Sequence, residues 1–214
     1  EYAESLTNET FLDVYDGVVF PLTSDAAAGF INLCGNAGVP QALCNYHARR
    51  RFKKSHSYNK QRALEALSFY RELSQIEKAI AHFCPADKMQ ARQKDAAPIL
   101  QKFKIWCEYY YEREPKSTPL ANAIGYVLRN WKGLTYYLHD GRVPFHTNNI
   151  EQMFRDIARG RRSFFHVSSL QGGQALAIFY TLVQSCQLSG IDPFYYLADV
   201  MNLISEVSDV TLLI

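Results

Sequence analysis

The chain has 214 residues, of which 48% are apolar, and a formal net charge of +2. This length allows one large domain or a domain with an insertion. The sequence contains no run of eighteen apolar residues, so no membrane span is predicted. Five scattered cysteines without a CxxC pair predict neither a zinc site nor a disulfide framework, so reduced thiols in a cytoplasm are expected. The N-terminus lacks a starting Met and the basic and apolar regions of a secretory signal, which is typical of the middle of a longer protein.

The first part of the chain predicts a small α/β element. Residues 11–15 are typical of a short strand that ends at the Asp16-Gly17 turn. Ser24-Asp25 predicts the cap of a helix over residues 26–35, where glycine stops it. A second buried strand is predicted over residues 42–46. Strand, helix and strand in this order favour a parallel βαβ unit.

From about Asn59 to residue 140 the pattern is helical. Apolar residues recur three and four apart through Ile80, and Pro85 interrupts them. A further helix is predicted over residues 98–112. Thr118-Pro119 predicts the start of the next helix, because proline is harmless at the first helical position. The apolar stripe of that helix runs through Leu138 and ends at Asp140-Gly141.

The last part of the chain predicts three more helices. The first begins at Asn148 or Asn149, carries an apolar stripe from Ile150 to Ile157, and ends near Gly160. A long apolar helix is predicted from about Ser169 to Leu188, and a final one begins near Asp192-Pro193. The fold class predicted from these elements is α/β and mainly helical.

Two carboxylates occupy positions at which a catalytic or metal-binding role is possible. Asp16 lies where a strand meets a turn, a frequent position for functional acids in open α/β sheets; ordinary Asp-Gly turn chemistry explains it as well, and local sequence favours that explanation. Glu151 follows Asn148 by three residues, the spacing of a capping box. The alternative is that Glu151 points from the first helical turn into a cleft, and local sequence does not choose between the two.

Two basic clusters follow these acids. Arg49, Arg50 and Arg51, with two nearby lysines, come directly after the second predicted strand, and His47 adjoins them as a candidate partner for phosphate or carboxylate. The second cluster follows Glu151 and consists of Arg155, Arg159, Arg161 and Arg162. Such charge suits the DNA phosphate backbone, although a solvated helix face is the alternative for each cluster alone.

Several segments, taken together and in order, resemble the transposases of the insertion sequence 66 family from about Phe11 to Leu203. They are Asp16-Gly17, Tyr46-His47-Ala48-Arg49-Arg50-Arg51-Phe52, Pro115-Lys116-Ser117, Tyr126 with Leu128 and Trp131, Asp140-Gly141-Arg142, Asn148-Asn149 with Glu151 and Arg155, Gly160-Arg161-Arg162, and Gly190-Ile191-Asp192-Pro193-Phe194-Tyr195-Tyr196-Leu197. No single segment is specific, but the ordered set is.

The resemblance implies a partial ribonuclease-H-like core with a large helical insertion. Residues 1–58 would form the C-terminal part of the sheet with the strand that carries Asp16. Residues 59–140 would form the insertion, and residues 141–214 the final catalytic helix with Glu151 and the C-terminal helices. By residue match, Asp16 is the second Asp and Glu151 the Glu of three catalytic carboxylates, and both would hold Mg²⁺ or Mn²⁺. The first Asp is expected upstream of Glu1, so the fragment alone is expected to be inactive.

The implied substrate is DNA, both transposon ends and target, cut and rejoined by a homo-oligomer in the bacterial cytoplasm near the nucleoid, with no membrane association. The residues expected to contact DNA are His47, Arg49, Arg50, Arg51, Asn148, Asn149, Arg155, Arg161 and Arg162. The competing interpretation is a non-catalytic helical DNA-binding or protein-interaction module, in which Asp16 is turn chemistry and Glu151 a cap. A third interpretation is a different ribonuclease-H-like nuclease.

Overall fold

The computed structural model of the chain describes residue 17, residues 19–164, residue 167 and residues 169–206. These residues are mainly helical and include a two-stranded parallel sheet, which confirms the predicted mainly helical character. The chain divides into two compact units, with the boundary between Asn148 and Asn149. Among the described residues, no helix has the length and apolar character needed to cross a membrane.

The sheet of the first unit consists of β1 (Leu22–Ser24) and β2 (Gln41–Leu43), joined by helix α1 (Ala28–Ala37). The strands are parallel, with Leu22 opposite Gln41 and Ser24 opposite Leu43. The predicted order of strand, helix and strand is therefore present. Its first strand, β1, was not predicted from the sequence, whereas the strand predicted over residues 11–15, with Asp16 after it, falls outside the described residues.

The predicted ends of these elements were wrong in three places. Helix α1 ends at Ala37, followed by Gly38 in the left-handed conformation, rather than at Gly35. Ser24 belongs to β1 rather than to a helix cap; the carboxylate of Asp25 instead accepts the backbone N–H of Ala27 at 3.1 Å, just before α1 begins. The second predicted strand ends three residues early, because Asn45 already begins a helix. The buried Asn45 donates its backbone N–H to the Phe145 carbonyl at 3.1 Å and its side-chain amide to the Leu134 carbonyl at 2.9 Å.

Six helices follow in the first unit, and two of them begin at polar caps near the starts that the sequence predicts. They are α2 (Asn45–Ser55), α3 (Lys60–Ala79), α4 (Pro85–Ala91), α5 (Ala97–Arg113), α6 (Pro119–Arg129) and α7 (Trp131–Thr135). A π-helical segment (Arg92–Ala96) joins α4 to α5, and a 3₁₀ turn (Tyr136–Leu138) follows α7. The Asn59 side chain accepts from the N–H of Arg62 at the start of α3, and the Thr118 side chain caps α6 in the same way.

The single helix predicted beyond Pro119 is broken at Asn130. The Asn130 side-chain amide donates to the Tyr126 carbonyl at 2.8 Å, which occupies an acceptor at the end of α6. The next helix, α7, packs closely on the sheet: a Cβ atom at Gly133 would lie 2.8 Å from Cγ of Leu43. Contact with the sheet therefore redirects the chain where the apolar stripe alone predicts continuation.

An aromatic cluster forms the centre of this unit. Phe52 of α2, Tyr70 of α3 and Phe103 of α5 are each almost completely buried. The ring centroid of Phe52 lies 5.8 Å from that of Phe103 and 6.1 Å from that of Tyr70, separations at which aromatic pairs attract beyond simple burial. These contacts fix the inner face of α2, so its charged residues must face outward.

The second unit, from residue 149, contains most of α8 (Asn148–Phe164) and all of α9 (Leu170–Leu188) and α10 (Pro193–Glu206). The Ser169 hydroxyl caps α9 by accepting the N–H of Gly172 at 3.0 Å. All three helices begin where the sequence predicts, and α9 also ends as predicted at Leu188, whereas α8 continues to Phe164, four residues beyond its predicted end near Gly160. Several large apolar side chains of this unit are exposed, among them Leu188, Phe194, Tyr195 and Met201.

Candidate nucleic-acid interface

The outward face of α2 carries five exposed cationic side chains within six residues. They are Arg49, Arg50, Arg51, Lys53 and Lys54. The opposite face buries Asn45, Ala48, Phe52 and Ser55. A helix with one fully buried and one fully charged face presents its cations on a rigid support, which suits the binding of a polyanion.

A cavity of about 470 Å³ lies beside this face. Its walls come from the loop after β1, from α2 and from α6. The residues that line it are Asp25, Ala26 and Ala27, then His47, Arg50, Arg51 and Lys54, then Pro119, Asn122, Ala123 and Tyr126. The contributions of both helices follow the spacing of a single helical face, so each helix turns one stripe toward the cavity.

The position of the cavity in the βαβ unit is typical of a ligand site. The loop Asp25–Ala27 directly follows β1, and α2 follows β2, so the carboxyl ends of both parallel strands point to this region. Ligands of open α/β sheets bind outside the carboxyl ends of the strands. The N-terminus of α6, beginning at Pro119, adds the partial positive charge of a helix start.

Aromatic rings hold two of the arginines. The guanidinium carbon of Arg51 lies 4.0 Å from the ring centroid of Tyr126, and that of Arg49 lies 5.7 Å from that of Tyr46. Cation–π contacts of this kind stabilise the side chain without neutralising its charge. Burial raises the pKa of Tyr126, so its neutral hydroxyl places no negative charge beside Arg51.

The N-terminal end of α2 is tied to the segment that precedes α8. Besides the Asn45 bond to the Phe145 carbonyl, the Thr147 N–H donates to the sulfur of Cys44 at 3.4 Å. The rings of Tyr46 and His146 approach to 4.1 Å. The basic face therefore depends on contacts with residues about one hundred positions further along the chain.

Glu151 and three arginines share one face of α8. With about 100° per residue, positions 151, 155, 159 and 162 fall within an arc of about 80°. Glu151 is partly buried, and Arg155, Arg159 and Arg162 are exposed. An acid in the first turn of a helix is favoured by the helix dipole, and here it stands at the end of a cationic stripe.

The predicted site residues are placed to different extents. His47, Arg50 and Arg51 line the cavity, and Arg49 lies on the same helix. Asn148 begins α8, and its backbone N–H donates to Nδ1 of His146 at 3.3 Å. Asp16 lies outside the described residues, and for Asn149 and Arg161 the described structure covers only the backbone within α8. Their roles stay predictions.

Three further polar residues of the cavity were not predicted to be site residues from the sequence. Asp25, Asn122 and Tyr126 come from the loop and helix that complete the walls. Lys54 is one of the two lysines that follow the arginine run, and it lies seven residues after His47. This spacing places both side chains on the same face of a helix, and it was the signal that the sequence offered. For Asp25 and Asn122, no local signal exists, because only the tertiary packing of α6 against α2 brings them there.

Comparison with known proteins gives one family. The model of the Transposase IS66 family matches residues 1–175. Curated relatives from Sinorhizobium fredii include the uncharacterized protein y4hP, 32% identical over 209 residues, or 90% of this chain and 37% of that protein. The uncharacterized protein y4jD is 34% identical over 162 residues, or 75% of this chain and 32% of that protein. This chain thus spans about a third of the length of these relatives, and no solved structure matches it.

Proposed function

The chain belongs to the IS66 family of transposases, and on that premise we propose that it binds transposon DNA through the cations of α2 that line the cavity, as part of a metal-dependent strand-transfer enzyme. DNA strand cleavage and rejoining is the reaction proposed for the whole protein. We also propose that the whole protein has a ribonuclease-H-like core, that several copies assemble on DNA, and that the protein acts beside the bacterial nucleoid. The family match is with a transposase domain, and the site geometry supports the DNA-binding part.

One observation carries the proposal: three cations of α2 line a cavity at the carboxyl ends of two parallel strands. Arg50, Arg51 and Lys54 come from one stripe of the helix, and the N-terminus of α6 faces the same space. Each phosphate neutralised by such a cation releases a counterion from DNA, which gives affinity that depends strongly on salt. The stripe on α8, with Arg155, Arg159 and Arg162, is a second proposed phosphate contact.

Glu151 is the proposed metal ligand in the described part of the chain. Mg²⁺ and Mn²⁺ prefer carboxylate oxygens, and a glutamate in the first turn of α8 offers one. The second proposed ligand, Asp16, lies outside the described residues. When bound, the metal would activate water and stabilise the leaving oxygen of a phosphodiester.

Two neighbouring lysines test the DNA-binding role. Lys53 and Lys54 are adjacent, equally charged and both exposed, but the described residues that line the cavity include only Lys54. Replacing Lys54 with Ala should lower the affinity for a duplex from the transposon end about tenfold. It should also reduce the slope of log K against log salt by about 0.9, the loss of one phosphate contact.

The matched control is Lys53→Ala, which should change the affinity less than twofold and leave the salt slope intact. Fluorescence anisotropy with a labelled duplex at four salt concentrations measures both quantities. Equal effects of the two substitutions would show that the basic run acts only as a diffuse charge, against the proposed site.

A second experiment addresses the metal. Electron paramagnetic resonance of Mn²⁺ in the presence of DNA should show at least tenfold weaker binding after Glu151→Gln and after Asp16→Asn. Asp192→Asn is the control, because the Asp192 carboxylate accepts the Phe194 N–H at the start of α10. Unchanged Mn²⁺ affinity in the Glu151 variant would contradict the assignment and favour a non-catalytic module.

A further inference from the structure

The cavity beside α2 contains more than phosphate-binding charge. A site for phosphate alone needs only cations and N–H donors, yet this cavity also contains a carboxylate, an amide and an aromatic ring. They belong to Asp25, Asn122 and Tyr126. The volume of about 470 Å³ lies within the range of about 300–1,000 Å³ typical of small-ligand pockets. An intact base pair in a duplex does not enter such a pocket, whereas one nucleotide does.

The cavity offers a flat surface for stacking. Tyr126 is only 6% exposed, and the guanidinium of Arg51 covers its ring at 4.0 Å. Arg51 itself is exposed, so the planar guanidinium that contacts the ring is also accessible to a ligand. Unpaired bases stack on arginine planes and aromatic rings in proteins that recognise single strands.

Hydrogen-bonding groups of both kinds surround this surface. The carboxylate of Asp25 is held by the N–H of Ala27 at 3.1 Å, and it can accept further bonds. The amide of Asn122 can donate and accept. A base edge presents both donors and acceptors, so this pair can bond to it, whereas the carboxylate would repel a bare phosphate.

From this arrangement we infer that the cavity holds a single unpaired nucleotide of the bound DNA strand. Its phosphate lies against Arg50 and Lys54, its base stacks on the guanidinium of Arg51, and the base edge meets Asp25 and Asn122. The inference rests on the proposed DNA-binding function and adds a preference for DNA with an unpaired or extruded base. Extrusion costs a few kcal/mol in an intact duplex and little in a flap, so flapped DNA should bind more tightly.

The test compares three duplexes of equal length that differ at one end: a blunt duplex, one with a single-nucleotide 2-aminopurine flap, and one with an abasic flap. The chain should bind the 2-aminopurine flap at least fivefold more tightly than either of the others in fluorescence anisotropy. The fluorescence of 2-aminopurine should fall as its base stacks. The abasic flap separates the contribution of the base from that of the additional phosphate.

Arg51→Lys keeps the positive charge and removes the planar stacking group. It should abolish both the preference for the flap over the blunt duplex and the fluorescence change. Arg49→Lys, the same substitution on the same helix, is the control and should keep the preference. Circular dichroism spectra that match the unmodified chain confirm that both variants are folded.

The outcomes separate this inference from the function on which it rests. Binding to all three duplexes with equal affinity would overturn the nucleotide site and leave DNA binding intact. Retention of the preference by Arg51→Lys would also overturn it, as would binding of free deoxyadenosine monophosphate without any preference for the flap. Failure to bind any of the duplexes would instead refute the proposed function.

Discussion

Arg92 is expected to be the most important charged residue for the stability of the first unit. It lies in the π-helical segment, its side chain is 3% exposed, and it makes two 2.8 Å bonds to the carboxylate of Glu77. Its remaining N–H groups donate to the carbonyls of Tyr137 and Val143 at 3.0 Å and of Asp140 at 3.3 Å. One side chain therefore joins α3 to the loop that follows the 3₁₀ turn.

Replacing Arg92 with Met should lower the free energy of unfolding by about 3–5 kcal/mol, the cost of breaking a buried ion pair. The loss is this large because Glu77, 17% exposed, loses its cationic partner and three carbonyls lose their donor. Arg92→Lys keeps the charge but not the planar fork, so a loss of about 1.5–3 kcal/mol is expected.

Urea unfolding followed by circular dichroism measures these changes. Lys94→Met, an exposed position in the same segment, is the control and should stay within about 0.5 kcal/mol of the unmodified chain. In the double variant Arg92→Met, Glu77→Gln, the total loss should be smaller than the sum of the single losses, because each residue interacts with the other. A loss below about 1 kcal/mol for Arg92→Met, or strict additivity in the double variant, would refute this account of the network.

Two further predictions concern the loop that Arg92 holds. Gly141→Ala should destabilise the chain by about 3 kcal/mol in urea unfolding, because the added Cβ would overlap the carbonyl of Pro85. Gly35→Ala, at a position with open space around it, is the control and should be neutral or slightly stabilising. Equal effects of the two substitutions would contradict the clash. The hydrogen bond from Arg142 lowers the pKa of Asp140. The stabilising effect of this hydrogen bond is therefore complete above the ordinary carboxyl pKa of about 3.9. It is lost as the pH falls through the lower pKa that Asp140 has in the folded protein. Asp140→Asn should accordingly show a smaller loss of stability in acid titration than the unmodified chain, and identical curves would contradict the assignment.

Much of the helical framework was predictable because its signals are local. Thr118 followed by proline marks the start of α6, and the structure confirms both the cap and the boundary. Helix α2 was not predicted, although the burial of Ala48 and Phe52 between exposed cations fits helical periodicity. Such features depend on residues within one or two turns of each other, so one segment contains the information.

The errors occurred where distant residues decide the conformation. Asn45 begins α2 instead of ending a strand because carbonyls of Leu134 and Phe145, about ninety and one hundred positions away, bind its N–H groups. The cavity joins α2 to Asn122 and Tyr126 of α6 across some seventy residues. The Asp140-Gly141-Arg142 segment was interpreted as a helix end and as a mark of the family, and its close contact with Pro85 depends on packing that the sequence does not show.

The basic face and the Arg92 network are coupled through one stretch of chain. Arg92 holds the carbonyl of Val143, and two residues later Phe145 accepts the N–H that begins α2. If Arg92→Met leaves as little as about 2 kcal/mol of stability, about 97% of the molecules are still folded. Unfolding would then reduce the apparent DNA affinity by only a few per cent. A severalfold loss of affinity in this variant, measured by the same anisotropy assay, would therefore mean that α2 has shifted relative to the cavity. Unchanged affinity would mean that contacts within the aromatic core, above all those of Phe52, suffice to hold the helix in place.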